Sequence, residues 1–207
     1  MARCPRWMAQ LSTVAHLKPL EQPNQPMAIT REQLTLAMER EPSPVIRAAL
    51  EIGWLAAARG SDVRQLLIKD FLFNSDTKTI SLTFRRGKTT KSGQYAVGIP
   101  FPSQETLDFL KARQAEGSWA FPTLKGEHLK LALRRVNPFL EQRSLRRGRL
   151  QHLSTTESWS DEELIKLSCH ASIPMLRRYL DMGTVSATTL ATAVHAARTS
   201  ATSPAAH

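Results

Sequence analysis

One short stretch of this chain alternates, and the stretches around it do not. Thr79-Ile80-Ser81-Leu82-Thr83-Phe84 places an apolar side chain at every second position, the pattern of a half-buried strand. The segment Gln94 to Ile99 is its expected partner, across a polar, Lys/Gly-rich loop. Elsewhere the signals are helical. Thr30 with Gln33, and Ser160 with Glu163, have the spacing of capping boxes. Ser43-Pro44 opens a helix with proline where no amide donor is needed, and Val45, Ala48, Ala49, Ile52 and Leu55 recur along one face. Further helices are expected from Ser103 to about Ala115, from Gly126 to Val136, from Arg143 to Leu153, and from Ser172 to Asp181. Few strands among many helices predict an α+β fold, mainly α with a small antiparallel β-sheet.

Length and charge bound what such a fold is for. The 207 residues suffice for one domain with a substantial core, and the 42% apolar fraction fits a folded chain. A formal net charge of +10 favours a polyanionic partner. Nucleic acid fits better than a membrane surface, since no long basic amphipathic helix and no run of 18 apolar residues is present. Cys4 and Cys169 lack the spacing of a zinc site or disulfide framework, which predicts a reducing compartment. Together with a nucleic-acid partner, an intracellular place with DNA, in nucleus or nucleoid, is expected. No metal and no cofactor is expected. Residues 1–27, with Pro5, Pro19, Pro23 and Pro26, read as a loosely ordered leader, residues 28–183 as the folded domain, and residues 184–207 as an Ala/Thr/Ser-rich tail.

Three residues near the C-terminus suggest a chemistry. They are Arg146 in Ser144-Leu145-Arg146-Arg147-Gly148, His170 in Leu167-Ser168-Cys169-His170, and Tyr179 in Arg177-Arg178-Tyr179-Leu180. A tyrosine hydroxyl attacks a phosphodiester once its proton is removed and the phosphate oxygens are neutralised. Arginine suits the second task, because its planar fork of donors matches two phosphate oxygens and remains charged. Each residue also has a plainer reading: a solvated charge run, a structural histidine, a surface tyrosine.

In order and spacing these residues resemble the catalytic domain of tyrosine recombinases, the phage-integrase family. His170 and Tyr179 are nine apart, as the family's second histidine and nucleophile are, and Arg146 lies twenty-four before His170. Gly53 to Leu66 resembles the family's first box with Arg59 as its arginine, and Ile80 to Pro100 resembles its hairpin with Lys88 in the middle. The match spans residues 28 to 182. One position departs: the family's His-x-x-Arg would put histidine at 143, where this chain has Arg143. Arginine does not lose its proton in proteins and cannot act as a general base.

The resemblance implies DNA strand breakage and rejoining through a 3′-phosphotyrosyl link, without metal. Tyr179 would be the nucleophile, Arg59 and Arg146 would bind the non-bridging oxygens, Lys88 would protonate the leaving 5′-oxygen, and His170 would hydrogen-bond the phosphate. Arg85, Arg86, Lys91, Arg134, Arg135, Arg143 and Arg147 are the expected DNA-binding residues. Double-stranded DNA is the implied partner, with a homotetramer formed on it through the C-terminal segment. A degenerate DNA-binding relic of a mobile-element recombinase is the alternative, and a type IB topoisomerase shares the phosphate chemistry.

Overall fold

The computed structural model describes residues 26–85, 93–116 and 119–180. The leader and tail expectations, and the end of the last predicted helix at Asp181, lie outside the described residues. Within them the chain is mainly helical, with one three-stranded antiparallel sheet.

Helix α1 (Arg31–Glu39) starts where the sequence places it. Thr30 Oγ1 accepts from the Gln33 amide at 3.2 Å, and Gln33 Oε1 accepts from the Thr30 amide at 3.1 Å. Helix α2 (Pro44–Leu55) has Pro44 at its first position and buries Ala48, Ala49, Leu50, Ile52 and Trp54. It is the central helix, packing on α4 (Gln104–Glu116), α5 (Gly126–Arg134) and α6 (Gln142–Thr155). Glu51, buried on α2, accepts from the Ser103 amide at 2.8 Å and the Ser103 hydroxyl at 2.7 Å, fixing the start of α4.

A four-residue helix, α3 (Gly60–Val63), and a 3₁₀ turn (Ile68–Asp70) lead into the sheet. Strands β1 (Phe71–Asn74), β2 (Thr79–Phe84) and β3 (Tyr95–Pro100) lie in sequence order. The β2–β3 register runs from Thr79↔Pro100 to Phe84↔Tyr95, where the two rings stack with centroids 4.9 Å apart. β1 carries little alternation, and the sequence reading omitted it. It is pinned by the turn that follows, where Asn74 Oδ1 accepts from the amides of Asp76 (3.0 Å) and Thr77 (3.1 Å), a side-chain mimic of a backbone turn.

The main core joins α1, α2, α5 and the start of α6 to the sheet. A smaller cluster of Ala57, Leu150, Leu153, Leu164, Leu176 and Leu180 holds α7 (Asp161–Ser168) and α8 (Ile173–Tyr179) against α6, with Tyr179 packed on it. α6 lines both cores and carries Arg146, with Arg59, His170 and Tyr179 beside it.

Candidate functional site

Two left-handed turns build the site. α2 ends with the Ala58 amide donating to Gly53 O and the Ala57 amide to Trp54 O, both at 2.9 Å, the double hydrogen bond of a Schellman cap. That cap needs positive φ at its next-to-last residue, normally glycine. Here Ala57 takes it, at φ 45°. α7 ends on Cys169, also left-handed at φ 51° and ψ 41°. Each turn delivers a candidate residue: Arg59, two positions past Ala57, starts α3, and His170 follows Cys169.

Arg146 ties the two turns together. Its Nη1 donates to Ala57 O at 3.0 Å and its Nη2 donates to Ser168 O. The side chain is 2% exposed, and its Nε has no hydrogen-bond partner among the described residues. Burial pushes the Arg146 pKa down from its ordinary value, and the Arg59 charge pushes the same way. Tyr179, Tyr95 and Asp62 act in the opposite direction. Asp62, 1% exposed, holds one oxygen 3.7 Å from Arg59 Nη1 and accepts from Ser61 Oγ at 3.2 Å on the other. Asp62 thus pairs with Arg59, while Arg146 bonds to backbone carbonyls and has no carboxylate within salt-bridge distance among the described residues.

His170 stands over Tyr179 with ring centroids 5.2 Å apart and planes tilted by 51°. Burial, then the charges of Arg146 and Arg59, lower the His170 pKa from 6.5 to about 4, so the ring is neutral near pH 7. Its Nδ1 lies 2.6 Å from the hydroxyl of Ser168, a residue that sequence reasoning did not single out.

The structure therefore brings Arg59, Arg146, His170 and Tyr179 together. Lys88, Arg86 and Lys91 lie outside the described residues, although the β2–β3 register brackets the segment that contains them. Arg85 sits at the hairpin base, where its Nε donates to Asp70 Oδ1 at 2.5 Å and its Nη1 to Gln94 Oε1 at 2.9 Å. Arg143 is exposed in the first turn of α6, one turn before Arg146. Arg147 is 4% exposed. Arg134 is paired with Glu141 at 2.6 Å, and Arg135 with the buried Glu41 at 2.7 Å. Arg177 turns to Asp161, its Nε donating at 2.8 Å. Among the described residues no group of His, Cys, Asp or Glu side chains could hold a metal ion, and no helix is long and apolar enough to cross a membrane.

No family model matches the chain, and no curated protein does. Solved structures do. XerH site-specific recombinase bound to palindromic difH substrate, in a post-cleavage complex, superposes with a TM-score of 0.60 at 18% identity, covering 81% of this chain and 53% of that one. The catalytic domain of bacteriophage HP1 integrase gives 0.54 at 15% identity, covering 74% of this chain and 86% of that one. A lambda integrase dimer bound to a COC′ core site gives 0.57 at 18% identity, covering 81% and 51%. The chain has the fold of a tyrosine recombinase catalytic domain. It spans about half the length of the XerH and lambda integrase chains.

Proposed function

We propose that this chain breaks and rejoins DNA through a covalent tyrosine link. The observation that carries the reading is the buried Arg146, with an unpartnered Nε, grouped with Arg59, His170 and Tyr179. A buried cation without a carboxylate of its own is costly, and a bound anion offsets that cost. A phosphate suits the group, because the planar, always-charged fork of a guanidinium matches phosphate oxygens.

In the proposed step Tyr179 releases its phenolic proton to solvent water, and its oxygen forms a bond to the scissile phosphorus. The bond from phosphorus to the 5′-oxygen breaks, and that oxygen takes a proton from Lys88, which recovers one from water. Arg59 and Arg146 hold the non-bridging oxygens as charge grows on them, and His170 donates a hydrogen bond to one of them. The 3′-phosphotyrosyl bond retains the phosphodiester energy, so rejoining needs no nucleotide. Strand exchange between two duplexes, on four copies of the chain, extends the same proposal, as does a place with DNA inside the cell. The neighbours solved on DNA, a Tn1549 transposon integrase with circular intermediate DNA among them, support a DNA partner and a mobile-element origin.

A nicked suicide duplex tests this, because cleavage beside the nick loses a short strand and traps the adduct. Wild type is expected to give a denaturant-resistant protein–DNA adduct, and Tyr179→Phe none at undiminished DNA binding. Binding without any wild-type adduct would leave a DNA-binding relic. An adduct that survives Tyr179→Phe would place the nucleophile elsewhere.

A further inference from the structure

Ser168 touches two members of the site at once. Its backbone carbonyl accepts from Arg146 Nη2, and its hydroxyl lies 2.6 Å from His170 Nδ1. The residue is 1% exposed, so water is not an alternative partner for the hydroxyl. A serine at the end of a helix ordinarily bonds back to the carbonyl one turn earlier. This one turns forward, across the left-handed Cys169, to the histidine ring.

The direction of that hydrogen bond fixes what His170 offers the substrate. A neutral imidazole carries one proton, on Nδ1 or on Nε2. If Nδ1 donated to Ser168, the hydroxyl proton would need a second acceptor, and the described residues supply none. A buried donor left unmade is unfavourable. If Ser168 donates to Nδ1, the buried hydroxyl is satisfied and the ring proton sits on Nε2.

We propose that Ser168 is a positioning residue that holds His170 as the Nε2–H tautomer, aimed as a hydrogen-bond donor, while its carbonyl holds Arg146 in register with it. The inference rests on the cleavage reading for its consequence, since the Nε2–H would meet a phosphate oxygen, but its geometry is independent of catalysis. His170 then cannot take the Tyr179 proton through Nε2, because that nitrogen is already protonated. The ring stabilises charge on the phosphate and leaves proton removal to solvent.

The test uses the whole chain with ¹⁵N-labelled histidine and long-range ¹H–¹⁵N correlation spectra near pH 7, the His170 signals assigned by their loss in His170→Gln. The wild type is expected to show a protonated Nε2 and an acceptor-type Nδ1. In Ser168→Ala, and in the shape-conserving Ser168→Cys with its weak donor, the ring should shift towards a mixture of both tautomers. In the suicide-duplex assay the Ser168→Ala cleavage rate should fall roughly tenfold, the size of one lost hydrogen bond in a transition state, with DNA affinity unchanged. A wild-type ring protonated on Nδ1 would overturn the inference. So would an unchanged Nε2–H population in both variants. Absence of any wild-type adduct would count against the cleavage reading alone, because the spectra report on Ser168 without DNA.

Discussion

Cys169 sits in left-handed backbone, where a side chain costs about 1–2 kcal/mol and glycine nothing comparable. Cys169→Gly should therefore raise stability by roughly 1 kcal/mol, visible as a higher melting temperature with unchanged DNA binding. Gly148 is the opposite case. A Cβ there would lie 2.0 Å from the Ile29 carbonyl oxygen, so Gly148→Ala must push residues 26–30 off α6, and a clearly lowered melting temperature is expected. His170 adds a pH dependence. Its value falls from 6.5 to about 4 on folding, so between these limits the unfolded chain binds more protons than the folded one. Stability from this group is accordingly complete above pH 6.5 and declines as the pH drops towards 4. Melting of wild type against His170→Gln across that window should show a shallower acid decline in the variant. Arg143 makes the most direct test of the site: Arg143→His should maintain or raise adduct yield, because it supplies a group able to exchange protons near neutral pH.

At the scale of elements, what could be read from the sequence is what local chemistry decides. The caps at Thr30 and Ser160 and the proline start at Pro44 are found where residue types and spacing place them. The β2 alternation is equally local: Ile80, Leu82 and Phe84 are buried while Ser81 is exposed. β1 was missed because its pairing to β2 and the Asn74 turn, rather than its own pattern, make it a strand. The arginine run on α6 was misleading in another way. A charge run reads as a solvated face, yet Arg146 and Arg147 point inward and Arg143 outward, which only the packing of α6 between two cores decides. Ser168 was invisible for a similar reason, since its role depends on the left-handed residue after it. The grouping of Arg59, Arg146, His170 and Tyr179 was expected from a resemblance in order and spacing. The physical means of that grouping, one guanidinium bridging two strained turns, was not. Arg146→Lys should thus be far from conservative: a single ammonium cannot reach both the Ala57 and Ser168 carbonyls with the fork geometry of arginine.

For the molecule as a whole, the excess of +10 is the quantity that matters to a polyanion, and the structure sorts which cations can express it. Several are neutralised internally: Arg47 by Glu105, Arg85 by Asp70, Arg134 by Glu141 and Arg135 by Glu41. The Arg47 and Arg134 pairs are at least partly exposed on both sides and exchange partners at modest cost, since surface ion pairs contribute about 0–1 kcal/mol. Arg85 and Arg135 are instead held by the buried carboxylates of Asp70 and Glu41. Arg147 is itself buried, at 4% exposed. DNA binding is expected to weaken as a power of salt concentration, each neutralised phosphate adding about 0.9 to the slope. Arg143→Ala should lower that slope by about one phosphate, with little effect on melting. Arg147→Ala should do the reverse, lowering the melting temperature while leaving the slope in place. Titrations of a fluorescent duplex at several salt concentrations, run beside thermal melts, separate the two. If Arg147→Ala flattens the salt dependence and spares stability, its side chain reaches phosphate and the face assigned to DNA must be redrawn around it. If neither variant changes the slope, phosphate contact lies elsewhere on the chain, and the hairpin segment with Arg86, Lys88 and Lys91 is the next place to mutate.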